Sequence, residues 1–220
     1  MTIMKMMNRI ERNCKEIRAQ ENSRTINGYA VVFDSWSRDL GGFMEIIRQG
    51  AITEELLNES DVIMNQNHDD NQMLARWNRG QGTLRLYLDE KGLAFEFEAP
   101  ETERGNELLW NIRNGNLFEC SFAFSLPDNG TCQRWFRDSD GSLKREITEI
   151  GGLYDCSIVT LAAYPATSVS NREEVDIEAI TRSLDEAAAE EARQAQEELD
   201  HQREESLMNK LKEFYKNISL

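Results

Sequence analysis

A chain of 220 residues with 40 acidic and 25 basic side chains carries a formal charge of −15 at neutral pH. That length suffices for one domain with a sizeable core plus an appendage, or for two small domains, and that charge disfavours nucleic acid, because phosphate binding rests on clustered Lys and Arg. The longest apolar runs, such as 29–33, fall far short of the roughly twenty residues that cross a bilayer, and the Met-rich start lacks a hydrophobic stretch ending in small residues, so neither a membrane partner nor a signal peptide is expected.

In chain order, residues 1–13 show no pattern and stay unassigned. Residues 14–20 and 25–33 read as a β-hairpin about the turn Glu21-Asn22-Ser23, the second strand carrying Tyr29-Ala-Val-Val-Phe33. Residues 34–42 read as a loop, 43–47 as a short strand and 51–57 as a short helix. The run Asp61 to Asn65 returns as a strand leading into the polar turn that holds His68. Thr83 to Leu88 and Leu93 to Glu98 alternate with a period of two about Asp89-Glu-Lys-Gly92, the clearest hairpin in the chain. Leu108, Leu109 and Ile112 predict a helix over 102–114, capped by Thr102 and stopped at Gly115. Residues 118–124 read as a strand, 127–140 as loop, and 143–150 and 153–161 as two more strands. Many short strands, a few helices and no βαβ alternation predict a mainly β fold with helices (α+β), an antiparallel β-barrel or sandwich decorated with helices.

Composition changes sharply near residue 170. Residues 171–220 hold 14 acidic and 7 basic side chains and neither Gly nor Pro. Ile177, Ile180, Leu184, Ala188, Ala192, Ala195 and Leu199, then Leu207, Leu211, Phe214 and Ile218, fall at helical spacing. The stripe is thin and Ala-rich, so this tail needs a partner to be stable as a helix. The expected division is 1–13 unassigned, 14–170 a folded domain and 171–220 an acidic helical tail.

The chain has two histidines, and His201 lies in that tail. His68 is therefore the candidate general base, since imidazole alone has an ordinary pKa, roughly 6.5, suited to proton transfer near neutrality. On a strand over 118–124, Ser121 and Ala123 share one face while Cys120, Phe122 and Phe124 share the other. Asp155 stands in an otherwise apolar strand, where a carboxylate must be exposed or paired with a donor such as an imidazole N–H. Taken alone, His68 and Ser121 read more readily as ordinary polar residues, and Asp155 as an exposed or paired carboxylate, but a serine, a histidine and an acid together are what nucleophilic acyl transfer requires. Cys14, Cys120, Cys132 and Cys156 show no C-x-x-C spacing and no accompanying histidine, so no metal or other cofactor is expected. Cys120 is an alternative nucleophile, set against by its pointing to the face opposite Ser121.

Gly28-Tyr-Ala-Val-Val-Phe33, Gly42-Phe-Met-Glu45 with Gly50-Ala-Ile52, Asn67-His-Asp69, Gly92-Leu93, Gly115 before Ser121-Phe-Ala-Phe124, and Asp155-Cys-Ser-Ile-Val-Thr160 before Ala163-Tyr-Pro165 together resemble the prohead (capsid maturation) proteases of tailed bacteriophages. The resemblance spans roughly residues 14 to 168. It implies a β-barrel of the herpesvirus assembly protease type surrounded by helices, and a serine endopeptidase that acts inside the immature capsid in the host cytoplasm. Its implied substrates are the major capsid protein or a scaffold segment, and then the enzyme itself; homo-oligomerisation is left open. By the family pattern Ser121 is the nucleophile, His68 the base and Asp155, where relatives often carry glutamate, the orienting acid. Arg76 in Leu74-Ala-Arg-Trp77 is the candidate oxyanion stabiliser, its alternative a surface salt bridge. Two non-catalytic readings remain beside this one: a small β-barrel binding module, and a scaffolding protein whose working part is the tail.

Overall fold

β-branched and aromatic residues recurring every second position mark the longer strands of the first unit. The computed structural model describes residues 10–14, 17–19, 23–160 and 175–218, with side chains over 17–19, 23–160 and 175–210. In chain order the elements are β1 (Ile10–Cys14), β2 (Arg18–Ala19), β3 (Thr25–Val32), β4 (Phe43–Ile47), α1 (Glu54–Glu59), β5 (Asp61–Gln66), β6 (Ala75–Asn78), β7 (Gln81–Gly82), β8 (Leu84–Leu88), β9 (Gly92–Glu98), α2 (Glu103–Arg113), β10 (Glu119–Ser125), β11 (Gln133–Arg137), β12 (Leu143–Ile147), β13 (Gly152–Val159) and α3 (Ile177–Ile218). The chain divides into two units, the first ending at Val175 and the second beginning at Asp176.

The strands form three sheets, ordered β1-β10-β13-β5-β6-β7, β11-β12-β4 and β2-β3-β9-β8. This is a mixed α+β architecture, and no closed antiparallel barrel is formed among the described residues. Two pairings are parallel, β13 with β5 and β12 with β4. Strands 143–147 and 152–159, adjacent in sequence, enter different sheets. Short-range alternation reveals strands but not their partners, which is why the expected closure does not hold.

The hairpin β8–β9 pairs Leu84 with Phe97, Leu86 with Phe95 and Leu88 with Leu93 on one face. The opposite face carries Arg85 and Glu96, an ion pair at 3.5 Å. The apolar face joins those of the six-stranded sheet (Val62, Met64, Cys120, Phe122, Phe124, Cys156, Ile158) and of α2 (Leu108, Leu109, Ile112) in one buried cluster. Helix α2 begins where Thr102 accepts the Gly105 N–H, and ends before Gly115, whose φ of 73° suits a residue without Cβ.

Sequence reading missed the hairpin β6–β7 and the strand β11, and placed the start of α1 three residues early. Arg76-Trp-Asn78 and Gln133-Arg-Trp-Phe-Arg137 offer no apolar run. β11 lies at a sheet edge with no fully buried position, so its pattern has little to obey. β1 starts within the segment left unassigned. Expectations for the Cys14 side chain, for 161–174 including the boundary at 170, and for the side chains of Leu211, Phe214 and Ile218 lie outside the described residues.

In the second unit, Asp176 Oδ1 accepts the Ala179 N–H at the start of α3, a 42-residue helix. Leu199, Leu207 and Met208 are exposed on it, and pairs such as Glu190–Arg193 at 2.9 Å run along its surface. Among the described residues no helix is long and apolar enough to cross a membrane.

Candidate active site

Strands β10, β13 and β5 lie side by side, and their registers align rows of side chains. Ser121 pairs with Ser157, and Ser157 with Asn65; in the next row Ala123 pairs with Asp155, and Asp155 with Ile63. Partners across a ladder share a face, so Ser121, Ser157, Asn65 and Asp155 stand on one side of the sheet. Cys120, Phe122, Cys156, Ile158 and Met64 fill the other, in the core. The alternation expected for 118–124 is therefore obeyed, with Cys120 turned away from Ser121. Burial pushes the Cys156 thiol up to about 12.

β5 ends in a tight turn in which Asp69 N–H donates to Gln66 O at 3.1 Å. Both central residues have positive φ, Asn67 at 53° and His68 at 56°, as type I′ turns require. A non-glycine residue there costs roughly 1–2 kcal/mol, although Asn and His tolerate it better than most. Contacts with β13 offset that cost. Asn67 N–H donates to Ile158 O at 3.0 Å, Asn67 Oδ1 accepts the Thr160 N–H at 3.1 Å, and His68 N–H donates to Ser157 Oγ at 2.8 Å.

The turn carries the His68 ring to both sequence-identified partners. Its Nε2 lies 2.8 Å from Ser121 Oγ, and its Nδ1 lies 3.0 and 3.2 Å from the Asp155 carboxylate oxygens. Ser121 and Asp155 are each 1% exposed, and the His68 side chain is 15% exposed. The buried carboxylate is thus paired, as its apolar strand demands. The aspartate is long enough, because the turn brings the ring down to it. Hydroxyl, imidazole and carboxylate hydrogen-bonded in series form the arrangement that serine hydrolases use.

The structure does not bring Arg76 into this group. Arg76 pairs across the sheet with Ile63, and its Nε and Nη2 both donate to the Asp61 carboxylate, with Nε at 2.7 Å. Asp61 lies at the far end of β5 from His68. Each charge favours the other: the Arg76 hydrogen bond holds the Asp61 carboxyl below its ordinary value, and Asp61 raises Arg76. His201 is exposed on α3. Among the described residues no three His, Cys, Asp or Glu side chains gather as a metal site.

Two polar residues beside the group escaped the sequence reading. Asn65, fully buried, directs its Nδ2 to Asp70 Oδ1 at 3.2 Å and, more weakly, to Asp155 Oδ2 at 3.5 Å. Ser157, also fully buried, receives the His68 main chain. Their signal was present as period-two spacing, two residues from Ile63 and from Asp155, but nothing in one sequence tells which strands adjoin.

The family model described as Caudovirus prohead serine protease matches residues 10–183. The chain belongs to that family. It is accordingly a serine peptidase of phage capsid maturation, with capsid proteins as its substrates and the assembling capsid as its place of action. Among solved structures, the capsid assembly protease gp21 of bacteriophage T4 is similar at 13% identity, over 70% of this chain and 98% of that one, with a TM-score of 0.42. A comparison with curated proteins finds no match.

Proposed function

We propose that Ser121 is the nucleophile of this peptidase, His68 its general base and Asp155 the group that orients the base. The observation that carries the proposal is one imidazole within hydrogen-bond reach of both a serine hydroxyl and a carboxylate, at 2.8 and 3.0 Å. With Nδ1–H donated to Asp155, the ring presents the lone pair of Nε2 to the Ser121 hydroxyl. When Ser121 Oγ attacks a scissile carbonyl carbon, its proton passes to Nε2, and Asp155 stabilises the imidazolium. Nε2–H then protonates the departing amine, the C–N bond breaks and an acyl-serine remains. Water, deprotonated by the same nitrogen, attacks the ester and frees Ser121. Arg76 is left out of this mechanism, because its guanidinium is engaged by Asp61.

The scissile bonds proposed are those that join scaffolding segments to capsid subunits, and afterwards bonds of the protease chain itself, cut inside the prohead in the bacterial cytoplasm. Residues 171–220 serve as a recruiting tail, since an exposed helix with Leu199, Leu207 and Met208 uncovered gains most by lying against a helical partner. The test is co-expression with the capsid subunit of the same phage, wild type against Ser121→Ala. Defined subunit fragments appear only with wild type; fragments formed equally by Ser121→Ala overturn the assignment.

A further inference from the structure

We infer that Ser157 is a positioning residue of this site: by accepting the His68 main-chain N–H, its hydroxyl holds the left-handed turn at the geometry that suspends the imidazole between Ser121 and Asp155. The inference rests on the triad reading above.

The His68 N–H points to a side chain rather than to a main-chain carbonyl, at 2.8 Å. Ser157 is completely buried, so the bond is not exchanged for one to bulk water. Its place in the sheet matters as much as the bond. Ser157 is the direct ladder partner of Ser121 on one side and of Asn65 on the other, so its oxygen sits between the strand that carries the hydroxyl and the strand that leads to the base.

Four near-consecutive residues of β13 and its end thereby shape the whole turn. Asp155 meets the ring, Ser157 the His68 N–H, Ile158 O the Asn67 N–H, and Thr160 the Asn67 amide oxygen. Asp155 sets the rotation of the ring. Ser157 sets the backbone from which the ring hangs, and at a positive φ that backbone relaxes when its anchor is removed. A catalytic group displaced by about 1 Å loses roughly a hundredfold in rate.

A fluorophosphonate, which needs no knowledge of the natural substrate, tests this on the full-length chain. Its phosphorus bonds to Ser121 Oγ as fluoride leaves and His68 takes the serine proton, and mass spectrometry of peptides reads the rate at that residue. Wild type is expected to gain one adduct, on Ser121. Ser157→Ala should react roughly a hundredfold more slowly, and Ser157→Thr, which keeps the oxygen, within a few-fold of wild type. Because the chain has only two histidines, ring resonances in NMR give a second readout: Ser157→Ala should move those of His68 and leave those of His201. Labelling of Ser157→Ala at the wild-type rate, unmoved His68 resonances, or a loss in Ser157→Thr as large as in Ser157→Ala overturns the positioning role. Should Ser157→Ala fail to fold, Ser157→Cys, close in shape but a poor acceptor, replaces it: slow labelling supports the role and wild-type labelling overturns it. If wild type gains no adduct on Ser121, the triad reading falls instead.

Discussion

Ser121 and Asp155 are diagonal neighbours on one face of the β10–β13 ladder, Ser121 opposite Ser157 and Asp155 opposite Ala123. Such neighbours have Cβ atoms roughly 7 Å apart, too far for a direct hydrogen bond but within the span of a ring that offers a nitrogen to each. The ring comes from the opposite side of β13, because β5 runs parallel to it and turns just past the end of their pairing. The central strand thus meets the hydroxyl's strand with one edge and the histidine's strand with the other.

If the three residues act as a unit, His68→Ala and Ser121→Ala should each lower cleavage by about ten-thousandfold or more, and the double variant should be hardly slower than either. Additive losses, measured as initial rates on a capsid-subunit substrate, would contradict shared chemistry. Asp155→Asn should cost a comparable factor, roughly ten-thousandfold in the serine-protease precedent, because an amide N–H facing Nδ1 would force the ring proton onto Nε2. Full activity in Asp155→Asn would remove the carboxylate from the mechanism.

The cysteines beside the site should prove chemically silent. Cys120 and Cys156 are buried in the core, and the thiolate is the reactive form, so with Cys156 near 12 neither should react with iodoacetamide at pH 8 until the chain is unfolded. Cys120→Ala should retain cleavage. Inactivation of Cys120→Ala in a folded protein would revive the cysteine as nucleophile.

In the three-stranded sheet, Arg145 and Glu45 are parallel-ladder partners whose side chains are each 1% exposed and 3.1 Å apart, with Arg145 Nε also donating to Gln133 Oε1 at 2.7 Å. Breaking such a pair from one side leaves a buried charge without its counter-charge. Arg145→Met or Glu45→Gln is expected to destabilise by about 3–5 kcal/mol, and the double variant Glu45→Leu with Arg145→Met by much less. Urea unfolding distinguishes these; equal losses in single and double variants would mean that the charges are not coupled.

Acid should weaken the first unit partly through Glu146. Its hydrogen bond to Arg48, opposed by burial and assisted by Arg134, holds its carboxyl below the ordinary 4.5. The unfolded chain therefore binds this proton more readily, so the contribution is complete above about pH 4.5 and is lost as pH falls through the lower folded value. Glu146→Gln should cost no more than about 1 kcal/mol at pH 7, since both arginines are partly exposed, and should flatten the decline in stability below pH 4.5. An unchanged slope in denaturation series from pH 7 to pH 3 would assign the acid sensitivity elsewhere.

A chain ending near Ser170 should still react at Ser121 and cleave a peptide substrate, yet fail to enter assembling capsids. Loss of folding on truncation would make the tail part of the core; unchanged co-assembly would end its recruiting role.

Alternation and turn chemistry, both local properties, were enough to find most of the strands, the helix cap at Thr102, the stop at Gly115 and the opposite facing of Ser121 and Cys120. Scarcity did the rest for the site, since a chain with one histidine outside its tail offers one candidate base. What the sequence could not determine was which strands lie beside one another. The parallel pairing of β13 with β5, about 90 residues apart in the chain, follows from how the apolar faces of whole sheets pack together. That choice seated the His68 turn on Asp155 and Ser157, while the separate antiparallel pairing of β5 with β6 gave Arg76 to Asp61, because hydrogen bonds act over about 3 Å and only the packed fold decides which groups come that close.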